Sequence, residues 1–202
     1  MTGRERHVYQ VHARREQFSG PLFSVVTDEV SMPGGRVAAR DYLRHVGAVG
    51  VVALDERGRV VLIRQYRHPL GRTIWELPAG LMDVDGEQLA EAALRELAEE
   101  ADLTAGRIDL LVDLHTSPGC SNEVIRLFLA RDLGEVPEPD RHERHDEEAE
   151  VQVHRVPLDE AVRMVLAGEI TNASAVAGVL ATARARDADW APLRAADSPL
   201  ER

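Results

Sequence analysis

Residues 94–103 read LRELAEEADL, and they set four carboxylates, Glu96, Glu99, Glu100 and Asp102, within fewer than two turns of a helix. Acidic clusters on helices are usually solvated faces, and some hold a metal ion. With Leu97 at the centre of a buried stripe and about 100° per residue, Glu96 and Glu100 fall within roughly 40° of each other. Both then lie on the margin of the stripe, with Glu99 further round. Like charges at i, i+4 destabilise a helix by a few tenths of a kcal/mol. The helix dipole also disfavours anions near a C-terminus. A cation bound at this edge offsets both costs. Arg95 is spaced to pair with Glu91 or Glu99, but one guanidinium does not neutralise the array.

The preceding stretch, WELPAGLMDVDGE (75–87), is a tight Gly/Pro loop that ends on Glu87 and runs straight into the helix. A loop–helix unit with acids at its entry and along one edge suits Mg²⁺ or Mn²⁺. These ions take carboxylate and carbonyl oxygens, keep several waters and bridge to phosphate.

The rest of the chain must position this unit. Its 202 residues, 44% apolar and 29% charged, are those of a soluble globular protein with one sizeable core, or a core and a small annex. No run of 18 apolar residues suggests a membrane span. The start, MTGRERHVYQVHARR, lacks the apolar middle of a secretory signal, so the cytoplasm is expected. Cys120 is the single cysteine, which excludes an intrachain disulfide and argues against structural zinc. With no base following it, Cys120 is expected to pack or to line a loop. The net charge of −11 argues against sequence-independent nucleic-acid binding. It also means that an anionic substrate needs cations as intermediaries. There is no lysine. Arginine suits bidentate phosphate contacts, but a uniform absence points first to codon bias.

The first 45 residues are expected to form short strands, among them 22–32 and 36–45 around the PGG turn at 33–35. The apolar run 46–54 and the segment 60–66 predict a hairpin across DERGR (55–59). IWEL (74–77) is a short strand. Ala90, Ala93, Leu94, Leu97 and Ala101 mark one stripe of a helix over 87–101. Residues 108–115 and 124–130 predict paired strands joined by TSPGCSNE (116–123). EPDRHERHDEEAE (138–150) is a charged loop, and 151–156 is the last strand. Helices follow at 158–168, stopped by Gly168, and at 172–184, capped by Thr171 or Asn172. The remaining tail is expected to fray or to dock on a partner. The pattern is a mixed α/β sandwich behind a small β-rich piece. It divides into an N-terminal domain at 1–45, a main domain at 46–190 and a tail at 191–202.

Residues 80–103 resemble the Nudix box, the loop–helix signature G-x5-E-x7-R-E-U-x-E-E-x-G-U of Nudix hydrolases, where U is aliphatic. Glu87, Arg95, Glu96, Leu97, Glu99, Glu100 and Leu103 fall in register. Gly80 stands one residue early, so the loop carries an extra residue, which bears on where the Ala79 or Gly80 carbonyl points. Asp102 stands where the pattern has its last glycine. Aspartate tolerates the left-handed conformation that a helix-ending glycine supplies, so the cap is expected to survive. QYRHP (65–69), WELPAG (75–80), the MPGG turn (32–35), TSPGCSNE and DEEAE (146–150) are similar to the ADP-ribose pyrophosphatase branch, over most of 18–180.

This resemblance implies an α/β/α sandwich with a mixed sheet and a small N-terminal β-domain that dimerises. It implies Mg²⁺- or Mn²⁺-dependent cleavage of ADP-ribose to AMP and ribose 5-phosphate, in a homodimer with swapped N-terminal contacts. A hydrolase of another nucleotide sugar and a non-catalytic ADP-ribose-binding module are the alternatives. The box acids are intact and there is no basic extension for DNA, which disfavours the second.

By the same resemblance, Glu96 and Glu100 with the Ala79 carbonyl are metal ligands, and Glu99 holds a further ion. Glu87 and Arg95 orient the loop and the acids. The general base comes from the loop before the last strand and is Glu148, with its neighbour Glu147 open. His142 and His145 in that loop read as surface histidines. Arg67 contacts phosphate or forms a surface ion pair. Arg40 and Phe23 come from the partner subunit, Phe23 stacking on adenine or else serving as a core residue. Glu76 binds the substrate or the partner's arginine, and Trp75 packs. Ser117, Gly119 and Glu123 line the terminal ribose pocket.

Overall fold

Val49, Val51 and Ala53 point to one side of a strand and Val52 and Leu54 to the other, yet all five are buried. A strand apolar on both faces must lie between two covering layers. The computed structural model describes residues 7–144 and 149–200. The strands are β1 (Val11–Ser19), β2 (Phe23–Ser31), β3 (Val37–His45), β4 (Ala48–Ala53), β5 (Arg59–Arg67), β6 (Arg72–Glu76), β7 (Ala79–Leu81), β8 (Leu103–His115), β9 (Val124–Glu135) and β10 (Gln152–Pro157). The helices are α1 (Leu89–Ala101), α2 (Leu158–Leu166) and α3 (Ala173–Asp187). The chain divides into two units, and the segment His115–Glu123 belongs with the N-terminal one.

In the larger unit two sheets, ordered β7-β4-β9-β8 and β10-β5-β6, form the middle layer. β4 runs parallel to β9 and antiparallel to β7, so the sheet is mixed. One face meets α1 through Ala92, Ala93, Leu97 and Ala101, against Val49, Val51, Val61 and Phe128. The other face meets α2 and α3 through Leu158, Ala161, Met164, Ala175 and Val179, against Val52, Val60, Leu62, Leu127 and Leu129. This is the α/β/α sandwich. Asn172 caps α3, its Oδ1 accepting the Ala175 N–H at 3.0 Å.

Two expectations are corrected here. The chain does turn at 55–58, with an Asp55 N–H to Arg59 O bond of 2.9 Å and an isolated Leu54–Val60 bridge. The flanking strands then part into different sheets, so there is no extended hairpin. Both are buried on both faces, and each finds its hydrogen-bonded partners elsewhere.

The tail is docked on its own unit. Arg194 bridges Leu110 through backbone bonds of 2.9 and 3.1 Å. Arg126 is 2% exposed. It grips Asp113 from Nε and Nη2 at 2.7 and 3.1 Å, and donates to the carbonyls of Ser198 and Pro199 at 2.6 and 3.0 Å. In the linear sequence, VIRLFLA hides this cation inside an apolar run.

In the N-terminal unit β1, β2 and β3 form an antiparallel sheet in that order. Gly34 and Gly35, at φ 88° and 82°, supply the left-handed backbone of the β2–β3 turn. Asp28 is buried, and Arg14 donates to it at 2.7 and 2.8 Å. That guanidinium holds the Asp28 carboxyl below its ordinary range. The segment 115–123 lies along β3, where Leu43 donates to the Cys120 carbonyl at 2.8 Å and His45 N–H donates to Asn122 Oδ1 at 2.8 Å. Cys120 itself is exposed. β1 is exposed along its whole length and falls within the first 45 residues, where short strands are expected.

Removing Arg126 leaves Asp113 to Arg194 alone and strips the Ser198 and Pro199 carbonyls of their donor. Arg126→Ala is therefore expected to lower unfolding stability by about 1–3 kcal/mol, measured by urea denaturation. Limited proteolysis is expected to cut the released tail first.

Candidate active site

The box helix begins later than its sequence pattern suggests. Gln88 is extended, at φ −71° and ψ 138°, its side chain accepts no capping hydrogen bond, and Leu89 is the first helical residue. Glu87 therefore sits in the loop. The buried stripe is Ala92, Ala93, Leu97, Glu100 and Ala101. Leu94 and Ala90 are only half-buried, so the stripe is rotated from the expected one, and Glu100 lies inside it. Glu100 is tolerated there because its Oε2 accepts the Ala79 N–H at 2.8 Å. Asp102 ends the helix in the left-handed conformation, φ 55° and ψ 36°, with its N–H on the Ala98 and Leu97 carbonyls.

Glu96 is the other inward acid, and its place is made by a missing side chain. Gly80 lies in β7, opposite Val49 of β4. A Cβ on Gly80 would collide with the Glu96 carboxyl group. Gly80 thus leaves room for this close approach and has no positive φ to account for it; a Cβ there would push the end of the Glu96 side chain aside. Burial pushes the Glu96 carboxyl above its ordinary pKa, against the pull of Arg95 and with help from Glu99 and Asp83.

Arg95 is the hub of the array. It donates from Nε and Nη2 to the two Glu87 oxygens, both at 3.1 Å. Its Nη1 reaches Glu96 at 2.6 Å and Glu99 at 3.4 Å. Hydrogen bonding to Arg95 lowers the Glu87 pKa despite some desolvation. Glu99 is the most open of the acids, with its side chain 35% exposed.

These residues suit a hard divalent cation. The donors are all oxygens, and two of them are carboxylates one turn apart, one desolvated and seated against a glycine. Among the described residues no three His, Cys, Asp or Glu side chains form a ready-made cage.

The other candidates fall in separate places. In the larger unit, Arg67 grips the buried Glu76 with bonds of 2.6 to 3.1 Å. Asn172 also donates to Glu76, at 3.1 Å. Asn172 is legible in sequence only as a helix cap, so this second contact was not foreseen. Trp75 packs on the α2–α3 side, edge-on to His154 at 4.9 Å and under Arg64 at 5.2 Å.

In the N-terminal unit, Phe23 is 39% exposed, which overturns the core reading. Arg40 is exposed and donates to the Ala39 carbonyl at 2.8 Å. Glu123 accepts the Thr116 hydroxyl at 2.5 Å and lies 3.7 Å from His45 Nδ1. Ser117 accepts the Cys120 and Ser121 amides through its carbonyl, in the same loop as Gly119. His142 is exposed. His145, Glu147 and Glu148 lie outside the described residues.

The Gly80 seat gives a sharp test. Gly80→Ala is expected to displace the Glu96 carboxylate and weaken Mn²⁺ binding about 10–100-fold, measured by titration calorimetry, with the fold retained.

Comparison with known proteins agrees with this geometry. The sequence matches the NUDIX domain over residues 44–177. It is 46% identical over 175 residues to an ADP-ribose pyrophosphatase of Mycobacterium tuberculosis, covering 87% of this chain and 83% of that one. It is 35% identical to an ADP-ribose pyrophosphatase of Bacillus subtilis, covering 80% and 85%. A crystal structure of an ADP compounds hydrolase superposes with a TM-score of 0.78 at 20% identity, over 92% of this chain and 98% of that one, and shares the fold. The seated acids, the Arg95 hub and the matched residues together make this chain a member of the NUDIX domain family, a Nudix hydrolase.

Proposed function

We propose that the chain hydrolyses ADP-ribose to AMP and ribose 5-phosphate, with Mg²⁺ or Mn²⁺. The observation that carries this reading is the Glu96 carboxylate seated against Gly80, one turn from Glu100. It is supported by the two relatives named ADP-ribose pyrophosphatase. A bound divalent cation supplies neutralisation of the diphosphate and a water of lowered pKa. Glu96 and Glu100 would hold it, with the Ala79 carbonyl as a backbone ligand, and Glu99 would serve a further ion. Arg95 and Glu87 keep the acids and the loop in register. This resolves the charge conflict, because an acidic protein binds an anionic substrate through cations.

Glu148, or its neighbour Glu147, takes the proton of the attacking water. A carboxylate near cations keeps a low pKa and stays ionised. Arg67 contacts a substrate phosphate from its pair with Glu76. Phe23 offers its face to adenine and Arg40 its charge, each across a homodimer with swapped N-terminal units. Ser117, Gly119 and Glu123 line the terminal ribose pocket. The cytoplasm is the proposed location.

A panel of ADP-ribose and other nucleotide sugars, with and without Mg²⁺, tests the reading. AMP release from ADP-ribose, only with metal, is expected. A clear preference for a different nucleotide sugar would displace it, and tight binding without product would make the chain a ligand sensor. Glu100→Gln is expected to abolish turnover with folding intact. Glu148→Gln is expected to lower kcat by about 10²–10⁴ with metal binding preserved, and loss in Glu147→Gln alone would move the base by one residue.

A further inference from the structure

The last turn of α1 carries Glu99 and Glu100 and has no basic residue of its own. Its carbonyls form the negative end of the helix dipole, and the two carboxylates add to that charge. Such a turn frays unless its carbonyls find donors. Asp102 supplies one donor from within, its own N–H.

A second comes from far along the chain. Arg144 Nε donates to the Glu99 carbonyl at 2.8 Å. Its Nη2 lies 2.9 Å from Asp102 Oδ2, with the two side chains 20% and 22% exposed. The approach to Arg144 is fixed as well. Val136 N–H donates to the Asp102 carbonyl at 2.9 Å, and Arg141 Nε donates to the Val136 carbonyl at 3.2 Å. Residues 136–144 are thus moored along the end of the metal helix.

Asp102 occupies the position of the last glycine in the box pattern. Glycine gives the same left-handed backbone without strain, so the carboxylate is not needed to end the helix. Its evident use is the ion pair. We propose that Arg144, oriented by Asp102, is a positioning residue for the metal-binding turn: it caps the Glu99 carbonyl and fixes Glu99 and Glu100 for a divalent cation. The inference rests on the metal-dependent reading of this site. Arg144 acts through the helix end and not on the substrate.

Charge decides how this must be tested. Removing Arg144 alone leaves Asp102 as an extra anion, which by itself attracts a cation and masks the effect. The double variant D102G/R144A removes one charge of each sign and keeps the left-handed cap. The measurement is Mn²⁺ binding, read from the free-ion electron paramagnetic resonance signal. The double variant is expected to bind about tenfold more weakly, the low end of the range for groups that support metal ligands. Amide exchange at residues 98–101 of the metal-free chain is expected to speed up, and the KM for ADP-ribose at saturating metal is expected to hold. Mn²⁺ binding equal to that of the parent chain overturns the proposal. If the double variant does not fold, R144K keeps the charge but loses the planar fork: weakened binding supports the proposal and parent-like binding overturns it. Failure of the underlying function looks different, since the unaltered chain would then bind Mn²⁺ and release no AMP.

Discussion

Glu96 lies against the backbone of Gly80, in space that any Cβ would fill. Its carboxylate is desolvated there, and Arg95 does not fully offset the burial. The rest of the site follows from holding that one group in place. Gly80 is fixed because β7 pairs with β4 at Val49 and Gly50. Glu96 is fixed because Leu97 anchors α1 on the same sheet. A second carboxylate locks helix to strand by attraction where Glu96 does so by fit: Glu100 takes the Ala79 N–H. Helix and strand therefore bring two acids to one place, at a cost in desolvation and repulsion that a divalent cation would recover.

Arginine organises this acidic chain, which has no lysine. Arg95 serves Glu87, Glu96 and Glu99 from one guanidinium. Arg126 serves a carboxylate and two carbonyls from a nearly sealed position. Arg144 serves a carbonyl and a carboxylate at the helix end. Arg95 and Arg126 use the planar fork, with donors diverging in fixed directions, and Arg144 sets one donor on a carbonyl and its charge beside a carboxylate. An ammonium, as a compact point charge on a flexible stem, does not hold several acceptors in one geometry. The absence of lysine needs no functional cause, but the structure exploits what arginine offers.

Local features were legible in the sequence and long-range ones were not. Periodicity marked α1, and spacing marked its acids. The left-handed preference of aspartate foretold the Asp102 cap, and Asn172 was readable as the cap of α3. Each depends on neighbours within a turn. The hairpin of 46–66 failed because turn chemistry shows where a chain reverses but not which strand it then pairs with. The docked tail was missed because its partner, Arg126, is hidden in sequence inside the apolar run VIRLFLA, and its acceptors lie more than 70 residues further on. The stripe on α1 was rotated because Glu100, counted as a marginal acid, is buried through a backbone donor that no helical wheel contains.

The two departures from the box pattern are met by different means. The extra loop residue lies between Gly80 and Glu87, and it is taken up in the turn between them. Gly86 adopts φ 81°, and Glu87 N–H reaches the Val84 carbonyl at 3.3 Å. The ends of the loop are undisturbed, since Gly80 keeps its register with β4 and Glu87 still meets both forks of Arg95. An insertion in an exposed turn is absorbed locally, because closing a slightly longer loop adds little entropy cost. Asp102 is a different case. It preserves the backbone conformation of the glycine it replaces, but adds a charge at the wrong end of a helix dipole. That charge requires a partner, and Arg144 supplies it. One departure is silent because it lies where the chain can bend, and the other draws in a distant segment because it lies where charge must be balanced.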